Sequence, residues 1–277
     1  MRHVLKLSWR ILANAVGHFY ADDGWAMASH VALSTLLAMF PFIIFGTALA
    51  SFIGAREFAE TASHLIFDTW PEVIAKPIAG EAVRVMTEQR GGLLTVSVFA
   101  AAFFASNGVE ALRVSLNRAY RVTDRRSWYW TRAQSLFFVL IAVLVFVAVS
   151  VLLVLGPLVL NLVNRWLPLF AEATSLINNW RVLIAVAVLV CGLLVVHIWL
   201  PSGKRRLVDV MPGVTLTVLC WLAGASLFAA YLEGFANYVS TYAGLASIMI
   251  ALVFLYMISA IFILGAELNA SILALKQ

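Results

Sequence analysis

Two glutamates stand where carboxylates are costly. Glu110 closes one apolar run, within Ser106-Asn107-Gly108-Val109-Glu110, and Glu267 closes another, within Gly265-Ala266-Glu267-Leu268-Asn269. An ionisable group at the edge of hydrocarbon faces a bundle interior or a wet cavity and takes an opposite charge as partner. Asn107, Glu110, Val114 and Asn117 share one helical face, and Arg113 follows Glu110 one turn later, within pairing reach. Both glutamates have glycine two residues before them, at similar depth in their runs. The spacing predicts one shared layer of Asn107, Glu110, Arg113, Glu267 and Asn269, with Arg113 or Arg118 as counter-charge. Its chemistry is charge and hydrogen bonding at the mouth of a cavity. The plainer alternative is an interfacial ion pair that merely ends a span.

Weaker cavity candidates follow. His30, Ser34 and Pro41 lie along one side of the first apolar run, and His197 lies near the end of a later one. A lone histidine on an apolar helix more often serves as hydrogen-bonded structure than as a proton carrier. Tyr238 and Tyr242 gather with Glu233, Asn237 and Gly244 as an outer vestibule, although tyrosine at an interface is ordinary anchoring. Catalytic patterns are missing: no His-Glu-x-x-His, Walker loop, Cys-x-x-Cys or Gly-x-Gly-x-x-Gly. Gly224-Ala225-Ser226 lacks the closing glycine of a serine-nucleophile turn, so the small residues at 223–226 read as helix packing. Cys191 and Cys220 fall inside apolar runs and read as small packers. No histidine is spaced with acids as metal ligands require, and no metal or cofactor is expected.

The elements that carry these residues are six long uncharged runs: Gly24–Ala55, Gly91–Val109, Ser135–Asn164, Val182–Gly203, Val210–Leu232 and Gly234–Ala266. A helix needs about 20 mostly apolar residues to cross a bilayer. Of the 277 residues 63% are hydrophobic and 12% charged, about half the charge of a soluble domain. The fold expected is all-α, a single polytopic membrane domain over 1–277. Its spans are placed at about 26–53, 93–109, 136–160, 182–200, 210–232 and 245–268. The second helix is expected to continue to Asn117. Residues 1–24 form an amphipathic interfacial segment with Leu5, Trp9, Leu12, Val16 and Phe19 on one face, broken by Asp22 and Asp23. Segment 56–90 reads as short amphipathic helices on the outer surface. The first run starts late and is too long for a cleavable signal.

Thirteen of the nineteen Lys and Arg fall in alternate gaps, at the amino-terminal end, 113–132, 204–206 and Lys276. Cytoplasmic loops carry that excess, so both termini are expected in the cytoplasm. The basic charge then reports topology and contact with anionic lipid headgroups rather than nucleic acid.

The stretch Asn107-Gly108-Val109-Glu110 to Asn117-Arg118-Ala119-Tyr120 resembles the YihY/BrkB family. So do the Pro201 basic turn with Asp209 and Gly213, and Tyr242-Ala243-Gly244-Leu245-Ala246 through Leu264-Gly265-Ala266-Glu267-Leu268-Asn269. The likeness covers about residues 10–275. It implies a six-span protein of the bacterial inner membrane, from a family labelled variously ribonuclease BN and serum-resistance virulence factor, with movement of lipid or envelope material also suggested. Val31-Ala32-Leu33 departs from the pattern, because many members carry a tyrosine there. Ribonuclease chemistry is not expected, since hydrolysis needs metal-bound water or an acid–base pair over the phosphate and the 113–132 loop holds one acid, Asp124. The leading expectation is a non-enzymatic transporter or exporter-like protein for a lipid or amphipathic envelope solute. A non-catalytic envelope scaffold is the alternative, and assembly with copies of itself stays open.

Overall fold

The computed structural model describes residues 2–52, 91–150, 171–234 and 243–275. Among these residues every regular element is a helix: α1 Arg2–Ala21, α2 Gly24–Phe52, α3 Gly91–Ala119, α4 Trp128–Ser150, α5 Ala171–Trp199, α6 Leu207–Gly234 and α7 Ala243–Ala274. In hydrocarbon a backbone must satisfy its own polar groups, and a helix does so within one segment. Five helices are apolar over a length that crosses a bilayer, within Gly24–Phe45, Thr95–Ala119, Trp128–Val149, Leu207–Leu232 and Ile248–Ala274. The expected span 182–200 lies in α5, whose apolar part, Leu183–Trp199, is shorter than the other five. The chain is a polytopic all-α membrane protein. Leu140, Leu144, Phe146, Leu219, Leu222 and Leu227 all point outward and exposed, as side chains bathed by lipid would. The outer segment 56–90 and the vestibule tyrosines Tyr238 and Tyr242 lie outside the described residues.

Helix α2 runs through Pro41 without interruption, and α6 runs through Pro212. Helix α3 continues past the apolar run to Ala119, carrying Glu110, Arg113 and Asn117 on one rigid rod. The α1–α2 break falls at Asp22-Asp23, as expected, with Asp23 in the left-handed region at φ 54°. Gly24 follows because the Phe19 ring occupies the space a Cβ would need. Phe19 and Ala15 are buried, whereas Trp9, Leu12 and Val16 are exposed. The expected apolar face of α1 is therefore divided, part joining the core and part left to the surroundings.

Helices α2, α3 and α7 pack against one another, with α1 on α7, α4 on α3 and α5 on α6. The tightest seam is the antiparallel α6–α7 pair. A Cβ on Gly213 would run into the Gly265 carbonyl oxygen, and one on Gly265 would run into the Thr217 hydroxyl. Lipid tails are as apolar as leucine, so helices in a bilayer gain by close approach at small residues. Farther along the seam the Trp221 indole N–H donates to the Ile258 carbonyl at 3.0 Å, and Gly224 faces the flexible end of Met257. The expected packing role of the small residues at 223–226 thus belongs to Gly224, since Ala223, Ala225 and Ser226 are exposed.

Gly213→Ala should therefore lower stability by about 1–3 kcal/mol through overpacking. Gly224→Ala, which meets a movable methionine end and, at ordinary contact distance, the tip of Ile261, should be neutral or slightly stabilising through helix propensity. Unfolding of the purified variants checks the contrast, and equal effects at both positions would contradict the seam.

Candidate functional site

The polar groups collect where α3 stops. The Val122 N–H donates to the Asn117 carbonyl and the Arg121 N–H to the Arg118 carbonyl, each at 2.9 Å. This pair of bonds is the helix-ending arrangement that places its next residue in the left-handed region, usually glycine. Here that residue is Arg121, at φ 54°. A non-glycine side chain in that conformation carries backbone strain of order 1 kcal/mol, and such strain clusters at functional positions.

Three linked networks surround this turn. In the first, Arg113 donates from Nε to Glu110 at 3.0 Å, with a second bond from Nη2, while its Nη1 contacts Asp124. Asp124 also accepts from Arg126 Nε at 2.8 Å and Nη2 at 2.7 Å, and from the Asn117 amide at 3.1 Å. The Arg126 hydrogen bonds, with Arg113 nearby, hold the Asp124 carboxyl well below the usual carboxylate range. The Ser135 hydroxyl donates to Glu110 at 3.3 Å, and Arg132 donates to the Asn107 side-chain oxygen at 2.7 Å.

In the second network Arg121 reaches Glu267 at 2.8 Å and Asp22 at 2.9 Å, joining α7 to the α1–α2 turn. Glu267 is 1% exposed, so this is a buried carboxylate held by one guanidinium. Arg118 pairs with Asp23 beside it. In the third, Asn269 bridges the backbone on either side of Pro212. Its oxygen accepts from the Gly213 N–H at 2.6 Å, and its amide donates to the Val210 carbonyl at 3.0 Å and to the Tyr120 hydroxyl at 3.2 Å. A proline inside a helix removes one backbone donor, and the asparagine supplies bonding around that gap. The Arg205 guanidinium lies 4.0 Å over the Tyr120 ring. Burial draws Arg205 somewhat below the ordinary guanidinium value.

The Glu110–Arg113 pair is present at the spacing expected for it. Glu267 takes Arg121 rather than Arg113 or Arg118, because the left-handed turn redirects Arg121 toward α7. Glu110 and Glu267 therefore lie in separate networks and share no hydrogen-bond partner among the described contacts. Asn107 and Asn269 also sit in different networks. His30 is exposed, on the side of α2 opposite Ala28 and Ala32, and Ser34 is half-buried. His197 is fully buried, yet among the described residues neither ring nitrogen has a hydrogen-bond partner. It is enclosed edge-on by Phe262 at 4.8 Å and Tyr120 at 6.3 Å, contrary to the hydrogen-bonded role expected of it.

The sequence marks Asp22 only as a helix break and Asp124 only as the lone acid of the basic loop, and it gives Arg121, Arg126 and Tyr120 no place in a site. The Asp22-Asp23 pair beside the first span was the one available signal. Among the described residues no three His, Cys, Asp or Glu gather as a metal site.

The family model described as Virulence factor BrkB matches residues 15–275. A Bacillus subtilis (strain 168) protein named ribonuclease-like protein YfkH is 29% identical over 262 residues, covering 94% of each chain. No solved structure matches.

Asp124→Asn should cost about 2–3 kcal/mol, because it leaves Arg113 and Arg126 without their shared anion. The folded protein holds this carboxyl below its unfolded value of about 3.9. Its pairing thus stabilises the fold above that pH and fades as pH falls through it toward the folded value. Wild-type unfolding free energy should drop in that acid window and the variant's should drop less. Identical pH profiles would refute the assignment.

Proposed function

Because the chain belongs to the Virulence factor BrkB family of membrane proteins, we propose that it moves a lipid or amphipathic envelope solute across the bacterial inner membrane. The Arg121–Glu267–Asp22 layer would be its working centre. One observation carries this reading: a carboxylate 1% exposed, inside a helix bundle, whose counter-charge sits on a strained left-handed residue. Intramembrane ionisable groups are expensive and mark pathways for substrates or ions. A layer that ties α1–α2, α3 and α7 through one guanidinium can open by releasing one partner. Glu110, Arg113, Asn107 and Asn269 would then support the layer from either side.

The ribonuclease word in the relative's name is not carried to this chain. Asp124, the acid of the basic loop, is bound by Arg113, Arg126 and Asn117, so it has no lone pair poised to act as a base over a phosphate. A non-transporting scaffold is the second reading, favoured by the glycine-packed α6–α7 seam, which suits a rigid body. Cross-linking that returns stoichiometric partners regardless of added substrate would support it.

Proteoliposomes that carry a fluorescent phospholipid and a membrane-impermeant quencher test the first reading. Glu267→Gln and, separately, Arg121→Gly should reduce lipid movement at least tenfold while the protein stays folded. Arg121→Gly relieves the backbone strain but strips buried Glu267 of its counter-charge and should lower stability, so lost movement in Glu267→Gln, which leaves no buried carboxylate unpaired there, is the distinguishing result. Unchanged movement in both variants would remove the layer from the mechanism.

The excess of Lys and Arg in alternate gaps supports an orientation with both termini in the cytoplasm. Lys276→Cys, in a chain with Cys191 and Cys220 replaced, should react with an impermeant thiol reagent only after the inner membrane is opened. Labelling in intact spheroplasts would reverse the topology.

A further inference from the structure

Most arginines near the α3 turn are already neutralised. Arg113, Arg118, Arg121 and Arg126 each contact at least one carboxylate. The α5–α6 turn differs. A cavity of about 540 Å³ opens beside it, lined by Arg126, Lys204 and Arg205 together with Gln134, Trp199 and Pro201, and none of its described lining residues carries a carboxylate. Arg126 is partly offset by Asp124 behind it; Lys204 and Arg205 have no acid among the lining residues. Arg205 donates from Nη2 to the Ser202 carbonyl at 2.8 Å, whereas its Nη1 is buried and has no acceptor. A buried charged donor left unmade is costly, and a small swing of this guanidinium into the cavity would let it meet an anionic oxygen.

The turn is held in place before any ligand arrives. The Ser202 N–H donates to the Asn117 side-chain oxygen at 2.7 Å, and Gly203 takes a left-handed φ of 91°. The last carbonyls of α5 would repel an anion. Two carbonyls at this end are engaged: Arg126 donates to that of Leu200, just past the helix, at 2.9 Å, and Gln134 to that of Trp199 at 2.8 Å. Exposed aromatic residues, of the kind that anchor at headgroup depth, also stand beside the cavity. Trp199, in its lining, is 62% exposed, and α4 opens with the exposed Trp128, Tyr129 and Trp130.

We propose that this cavity binds the phosphate of an anionic phospholipid headgroup, gripped by Lys204 and Arg205 with Arg126 behind them. Basic pockets between membrane helices take headgroups in this way, and the volume falls in the range of small-ligand sites. The site does not depend on the transport reading. A protein that moves nothing would still hold this lipid.

Native mass spectrometry of the detergent-purified full chain tests it. Phosphatidylglycerol and phosphatidylcholine with identical acyl chains are titrated in parallel. The wild type should prefer phosphatidylglycerol, and the preference should fall about fivefold for each cation removed. The variants are Lys204→Gln and Lys204→Gln with Arg205→Gln. The exposed Lys204 can be changed without disturbing the packing of Arg205 on Tyr120, so the single variant remains informative if the double fails to fold. Arg10→Gln with Arg125→Gln removes two exposed cations elsewhere and should alter the preference by less than twofold. Equal loss in both double variants, or no preference in the wild type, overturns the site. Inorganic phosphate binding as tightly as phosphatidylglycerol overturns the lipid assignment.

Discussion

The buried pairing of Arg121 with Glu267 is the interaction on which the polar end of the bundle depends. A carboxylate taken out of water loses several kcal/mol of hydration, and only a close, well-aligned counter-charge returns it. That counter-charge is available because α3 ends in a left-handed residue rather than fraying. The same reversal sends the chain back along α3, so that Asp124 meets Arg113 and Asn117. One backbone turn thus sets two ion-pair networks. It also couples α7 to the α1–α2 break through Asp22.

Apolar packing and polar bonding support each other at the α6–α7 seam. Without a Cβ on Gly213 or Gly265 the helices approach closely enough for Asn269 to reach backbone groups on both sides of Pro212. The remaining amide proton then holds the Tyr120 hydroxyl, next to the end of α3. Tyr120 in turn supports Arg205 on one side and encloses His197 on the other. An error in seam width would therefore reach the ion-pair layer through Asn269 and Tyr120. A membrane protein with little hydrophobic drive between helices gains its specificity from such close, satisfied contacts.

The spans were legible because hydrocarbon imposes a length and a composition that a chain cannot conceal. The Glu110–Arg113 pair was legible because helical spacing alone brings i and i+3 together. Glu267 was legible as a costly carboxylate, but its partner was not. Arg121 reaches it only through a positive φ that no residue type announces, since glycine is the usual signal and arginine stands there instead. His30 was misplaced for a related reason. Polar identity suggested an inward face, yet Ala28, Val31, Ala32 and Leu36 occupy that face and turn His30 outward. His197 lies in the core with no hydrogen-bond partner among the described residues, enclosed by ring contacts with Phe262 and Tyr120.

The accounting of positive charge also changes once the pairs are known. Counted along the chain, the 113–132 region is strongly basic. Counted in space, Arg113, Arg118, Arg121 and Arg126 face Glu110, Asp124, Asp22, Asp23 and Glu267, so the layer itself carries no positive excess. A field that attracts lipid headgroups cannot arise from charges already cancelled within a few ångströms. It must come from cations outside the layer, Lys204 and Arg205 above all. Two tasks that look identical in the sequence, building an ion-paired layer and addressing the membrane surface, therefore fall to different residues.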